Sequence, residues 1–292
     1  MAVETLRFMQ PGQADTTDRV SDSIWADCPR AAIRNKDIPG AFLEDDFTTF
    51  NITAGTTEGN WAAEHGYSQF ASATGTITAG TGTGGEIILG ATADNEGVGL
   101  RTTATPFKII RGGLGFWYEI RMKVSSIADT KSNFFVGLMT NNALTAISPI
   151  TALGALADVG LVGFHRPESA LGAAGTGGAT VNFEYKASGI TAVSQQKDIG
   201  TLVADTYIKL GLKYVPGIDP FNLGAVGDTY GKFLLYSYVN GVAQNTPKQI
   251  PSAAGTDFPN NVGLGLVMAI LDAAGSATGT TTIDWVQAYQ AF

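Results

Sequence analysis

Few side chains in this 292-residue sequence have the type and spacing to do chemistry. The one cysteine, Cys28, and the two histidines, His65 and His165, lie far apart along the chain. That spacing supports no Cys–His nucleophile pair, no internal disulfide and no His-rich metal site. Two carboxylates facing one another would serve glycoside hydrolysis. Glu119, however, shares a strand face with Arg121 and Lys123, the pattern of a solvated face, and Glu184 stands alone on its strand. Asp219, Asn222 and Asp228 put hard oxygen ligands for calcium in one loop, but Asx-turns account for the same residues. Gly82-Thr83-Gly84-Gly85 precedes a strand-like run. It lacks the helix N-terminus that makes a phosphate cradle and reads as a turn. The sequence has no Gly-x-Ser-x-Gly elbow and no P-loop. Trp61, His65, Tyr67, Trp117 and His165 are candidates for contact with a sugar, and each also suits core or edge packing. No catalytic residue, metal or cofactor is assigned.

The elements that must position these residues are strands. From Leu43 onward, runs rich in Val, Ile, Thr, Tyr and Phe alternate with Gly, Asn, Asp and Pro. Strands are expected over Phe70–Thr78, Glu86–Ala91, Gly97–Ile109, Leu114–Ser125, Asn133–Thr140, Leu161–Arg166, Thr180–Lys186, Tyr207–Val215, Lys232–Gln244, Gly263–Asp272 and Thr280–Tyr289. In one of them Phe116, Tyr118, Ile120, Met122 and Val124 alternate with Trp117, Glu119, Arg121 and Lys123, as in a half-buried antiparallel strand. Asn240-Gly241 predicts a two-residue type I′ hairpin, because both central positions need positive φ. The Gly/Ala/Thr-rich stretches 72–85, 141–160 and 169–179 read as loops of a single sandwich.

Residues 1–42 differ from the rest. They carry Pro11, Pro29 and Pro39, mixed charge and little periodicity, with room for a short helix around Asp18–Ala26. Phe8, Ile24, Trp25 and Ile33 need somewhere to be buried. They are the candidate assembly contacts of an extended arm that orders on a neighbouring molecule, the alternative being a floppy terminus. On this reading, removing 1–42 leaves a folded domain over 43–292.

The formal net charge of −8 and sequence pI near 4.7 argue against a nucleic-acid partner. No apolar run has the length of a membrane helix. The first residues lack a basic segment followed by an apolar stretch, so synthesis in the cytoplasm without a secretory signal is expected. The sequon Asn51-Ile52-Thr53 is then a chance match.

Three segments, in order, resemble the concanavalin A-like jelly-roll superfamily of legume lectins, laminin-G-like modules and family 16 glycoside hydrolases. Leu43-Glu44-Asp45-Asp46-Phe47, with Trp61 downstream, looks like the opening strand. Tyr207–Lys213 and Phe233–Gly241 look like paired strands ending in a hairpin. Thr282–Gln290, with its Asp-Trp-Val pattern, looks like the closing strand. The resemblance implies an all-β antiparallel sandwich whose first and last strands pair. It also implies two catalytic glutamates on the hydrolases' Glu-x-Asp-x-x-Glu strand. The corresponding run here, Asn133–Thr140, holds no carboxylate, so those residues are not carried over.

In composition and layout the chain also resembles structural virion proteins of tailed bacteriophages. It is acidic, low in charge, rich in Gly, Ala and Thr, and has an irregular arm before the sandwich. That resemblance implies a non-enzymatic capsid decoration protein on the virion surface. Its partners would be the major capsid protein and copies of itself, a trimer suiting local three-fold positions. The alternative is a lectin-like module that binds a glycan, on a phage tail or fibre or as a free lectin.

Overall fold

The computed structural model describes residues 17–48, 66–71, 75–80, 85–91, 93, 96–110, 115–128, 133–140, 149–151, 155–167, 178–190, 193–215, 234–249, 257–272 and 279–292. Two short helices, α1 (Asp22–Trp25) and α2 (Arg30–Arg34), precede the strands. The strands are β1 (Gly40–Asp45), β2 (Tyr67–Ala71), β3 (Thr76–Ala79), β4 (Ile87–Ala91), β5 (Glu96–Thr102), β6 (Phe116–Val124), β7 (Asn133–Thr140) and β8 (Leu161–Arg166). They continue with β9 (Thr180–Lys186), β10 (Ser194–Thr201), β11 (Ile208–Val215), β12 (Leu234–Val239), β13 (Val242–Gln249), β14 (Leu264–Asp272) and β15 (Gly279–Ala291).

The larger sheet has eight strands, ordered β13-β12-β11-β6-β15-β4-β3, with β1 also on β15. The smaller sheet has seven, ordered β10-β9-β8-β7-β14-β5-β2. Every pairing is antiparallel. β15 holds the larger sheet together. One edge pairs with β6, and the other is shared between β4, along 279–283, and β1, along 286–291. The opening and closing strands thus lie side by side, with Leu43 opposite Ala288.

The core lies between the sheets. From β6 it takes Phe116, Tyr118, Ile120, Met122 and Val124, facing Phe134, Val136 and Leu138 of β7 and Leu264, Leu266, Met268 and Ile270 of β14. The rings of Phe107 and Phe116 meet edge to face, their centroids 5.5 Å apart. Ser237 Oγ donates to Gln196 Oε1 across the sandwich at 2.8 Å, which satisfies two buried polar groups together. At one end, buried Arg166 donates to the carbonyls of Gly178, Ser126 and Ala128 and ties those connections to β8.

The Asn240-Gly241 hairpin forms as expected, with φ of +48° and +76° at the two positions. Asn240 adds a lock, since its Oδ1 accepts from the Lys209 backbone N–H at 2.9 Å. Two expected strands are shorter in the structure. The run Phe70–Thr78 divides into β2 and β3, one in each sheet. The run Gly97–Ile109 is a continuous strand only as far as Thr102, after which the Thr103 N–H turns to the Gly66 carbonyl and pairing resumes in a single bridge between Phe107 and Leu264. β10, with the polar sequence Ser-Gln-Gln-Lys-Asp, was not expected as a strand.

Gly137 marks a close approach of backbones within the smaller sheet. Its φ is +153°, and a Cβ there would run into the Val162 carbonyl and the Gly163 Cα. Gly137→Ala is therefore expected to destabilise the fold by about 2 kcal/mol, by overpacking against backbone that cannot move aside. A lower urea midpoint at unchanged slope checks this.

Candidate binding faces of the two sheets

The outer face of the larger sheet is covered in part by the chain itself. Residues 17–39 lie across it from the β12–β13 hairpin to β1, and Ile24, Trp25 and Ile33 are buried there against Trp117, Tyr238 and Tyr289. Trp25 meets Tyr289 edge to face at 5.8 Å. Gly211 is the socket for Ile24, because any Cβ at that position would overlap the Ile24 Cδ1.

At the centre of this contact sits Glu119, fully buried. Its Oε2 accepts from the Ser21 backbone N–H at 2.9 Å and from the Trp25 indole at 2.7 Å, and its Oε1 accepts from the Ser21 hydroxyl at 2.5 Å. Further bonds fix both sides. The Trp117 indole donates to Asp27 at 2.9 Å, where Lys213 also pairs at 2.7 Å. Lys209 Nζ donates to the Arg19 carbonyl, the Trp285 indole to the Asp18 carbonyl, each at 2.8 Å, and the Ser23 hydroxyl to the Gly241 carbonyl. Burial pushes the Glu119 carboxyl above its ordinary value, against the opposing pull of Ser21, Trp25 and Lys209. Burial also acts against the charge on Asp27, yet the bonds from Lys213 and Trp117 hold that carboxyl below its ordinary value. Cys28, half-buried beside them, has its thiol pushed up to about 12 by burial and is no nucleophile at neutral pH.

The outer face of the smaller sheet carries the second polar cluster. Phe135, His165 and Asn182 are successive partners across β7, β8 and β9. His165 Nδ1 lies 2.8 Å from Glu184 Oε2, and Asn182 Nδ2 donates to Glu184 Oε1 at 3.0 Å. Burial alone would raise the Glu184 carboxyl, but His165, Asn182 and Lys197 bring it below its ordinary value. Glu184 is therefore ionised and only accepts, so His165 Nδ1 carries the shared hydrogen. The ring's other nitrogen, Nε2, is buried with no hydrogen-bond partner, as are both side-chain atoms of Asn133, two residues before Phe135 on the same face. Next to this cluster Ile150, Leu156, Ala157 and Val159 cover Met139, Leu161 and Val267. There Lys186 reaches the Ala157 carbonyl at 3.3 Å and Asp158 at 3.5 Å. The cluster thus leaves one imidazole nitrogen and one side-chain amide buried without a hydrogen-bond partner near an aromatic ring.

These placements revise the sequence-based expectations. Ile24, Trp25 and Ile33, assigned there to a neighbour, are used on the chain's own sheet, because Trp117, Gly211 and Tyr289 form a matching surface. Phe8 lies outside the described residues. Glu119 is buried and bonded to the arm rather than solvated, and Glu184 has His165 and Asn182 as partners. Tyr67 is in the core and Trp117 lies under the arm. Trp61, His65, Asp219, Asn222 and Asp228 lie outside the described residues. Of Gly82-Thr83-Gly84-Gly85 only Gly85 lies within the described residues, with a φ of +80° and no room for a Cβ beside the Asp46 carbonyl. Among the described residues no three His, Cys, Asp or Glu side chains gather to hold a metal ion. No helix of the described residues is long and apolar enough to cross a membrane.

Two sheets in this order, with first and last strands paired, can be compared with solved structures. Peanut lectin superposes with a TM-score of 0.50 at 12% identity, covering 87% of this chain and 99% of the lectin. The fold is that of a lectin-like jelly roll. A Shewanella oneidensis MR-1 protein of unknown function superposes with a TM-score of 0.51 at 11% identity, covering 90% of this chain and 94% of its own. A structure from work on endo-acting O-glycanases of the human gut microbiota gives a TM-score of 0.50 at 10% identity, covering 86% and 98%. At these identities the jelly roll itself is what is shared. No family model and no curated protein matches the sequence.

Two predictions follow from the buried carboxylates. Glu119→Ala leaves the indole and both Ser21 donors without an acceptor and is expected to cost about 3 kcal/mol in urea unfolding. The two groups also respond to pH with opposite sign. The lowered Glu184 carboxyl contributes stability above the ordinary value of 4.5 that is lost as pH falls through its folded value. The raised Glu119 carboxyl gives its full contribution below 4.5 and loses it as pH rises through its folded value. Urea midpoints measured from acid to neutral pH are expected to show a shallower acid-side loss in Glu184→Gln.

Proposed function

We propose that this chain is a non-enzymatic structural protein of a tailed-bacteriophage virion, of the capsid decoration type. On this reading it is made in the host cytoplasm and binds the shell and neighbouring copies, with no nucleic-acid or membrane partner. The observation that carries the non-enzymatic part is the outer face of β7. Its outward residues there are Asn133, Phe135, Gly137 and Met139, where the family 16 resemblance would require two glutamates. Two buried outward carboxylates elsewhere, Glu119 on β6 of the larger sheet and Glu184 on β9, are also engaged, the first by the arm and the second by His165 and Asn182. The acidic, weakly charged, Gly/Ala/Thr-rich composition supports the virion part. A sandwich braced by its own arm is a rigid tile for such a coat.

A second reading, a lectin-like glycan-binding module, is favoured by His165 Nε2 and the Asn133 amide. Both are buried beside Phe135 without a partner. Buried polar groups normally find partners, and sugar hydroxyls supply both donors and acceptors.

Counting copies in purified particles by quantitative mass spectrometry tests the first reading. The expected result is a simple fraction of the shell protein's copy number. A handful of copies, or none, overturns the decoration role. A glycan array tests the second. Binding that is lost in His165→Ala and Asn133→Ala, with the fold retained, supports it, and binding that is unchanged in both removes it.

A further inference from the structure

The arm contact is a recognition site with a readable code. Glu119 reads Ser21 and Trp25, the gap at Gly211 reads Ile24, and Trp117 with Lys213 reads Asp27. The arm's only covalent link to this seat is the turn from Asn35 to Pro39, which leads from α2 into β1. Every copy of the chain carries the same code and the same seat, so a seat cannot tell its own arm from a neighbour's.

Two features of the turn favour the neighbour. Lys36 closes α2 with a φ of +62°, a left-handed conformation that glycine adopts freely and lysine does not. Straightening the turn releases that strain. The corner around it also exposes two aromatic rings beside the Arg34–Glu44 ion pair. Phe42 of β1 is 46% exposed and Phe292, whose N–H bonds the Pro39 carbonyl, is 54% exposed. A second copy drawn in by the arm would cover both.

We propose that residues 17–34 form an exchangeable strap that docks on the larger sheet of a second copy of this chain when copies are concentrated. The five residues 35–39 reach roughly 17 Å when extended, so the two seats must lie close together, as in a reciprocal pair. The inference rests on the arm and its seat alone and does not depend on the virion role or on glycan binding.

Complementation of two full-length variants tests it. Trp25→Ala spoils the arm and spares the seat, whereas Glu119→Ala spoils the seat and spares the arm. Mixed, the intact arm of one can dock only on the other. The expected result is a one-to-one heterodimer by light scattering and native mass spectrometry, absent from either variant alone. If either variant fails to fold, the turn carries the test. In the otherwise unaltered chain Lys36→Gly removes the strain and Lys36→Val increases it. The concentration for half-dimerisation is expected to rise roughly thirty-fold or more in the first, since both turns of a pair open together, and to fall in the second. A chain that stays monomeric at millimolar concentration, or an association that ignores Lys36 and forms no heterodimer from the mixed variants, overturns the proposal.

Discussion

A single buried carboxylate organises one whole side of this molecule. Glu119 sits in the middle of a sheet face that would otherwise be open to water, and all three of its hydrogen bonds come from Ser21 and Trp25. A buried ionisable group is costly unless its oxygens are satisfied. The protein meets that requirement with a segment far away in sequence, which fixes where the segment lies. Once Ser21 and Trp25 are placed, Ile24 falls into the gap at Gly211 and Asp27 reaches Trp117 and Lys213. The arm therefore has one register on the sheet, set by hydrogen bonds, while apolar burial supplies most of the driving force.

The smaller sheet is built differently. Its outer face is covered partly by a crossing segment with little regular structure, through Ile150, Leu156, Ala157 and Val159, and partly filled by the His165–Glu184–Asn182 cluster. In the larger sheet the buried charge meets a full set of donors. In the smaller sheet the imidazole and a nearby amide keep unused hydrogen-bonding capacity. The larger sheet also keeps unpartnered polar atoms, Arg121 Nε and Gln287 Oε1, so the two faces differ in what covers them rather than in having spare hydrogen-bonding capacity.

The framework was legible from local pattern. Alternation in Phe116–Val124, the Asn240-Gly241 turn and the closing run Thr282–Gln290 each carry their geometry in neighbouring residues, and each appears in the structure. The sites were not, because they depend on partners distant in sequence. Glu119 beside Arg121 and Lys123 reads as solvated until Ser21 and Trp25 are seen above it. Trp117 on that same face was the available signal, since an indole alternating with charges seldom faces open water. Glu184 and His165 meet only through the pairing of β8 with β9. β10 escaped notice because an edge strand needs little apolar content.

The placement of β15 also governs how the molecule is made. It follows every other strand in the chain, yet it lies inside the larger sheet, holding β6 on one edge and β4 and β1 on the other. Until residues 279–291 have left the ribosome, β1 has no partner and β4 is joined only to β3. β6 likewise has a neighbour only in β11. The pair β3–β4 and the group β6-β11-β12-β13 can form beforehand, but they and β1 become one sheet only when β15 closes between them. Such long-range closure is slow, and it leaves unpaired strands exposed in the meantime.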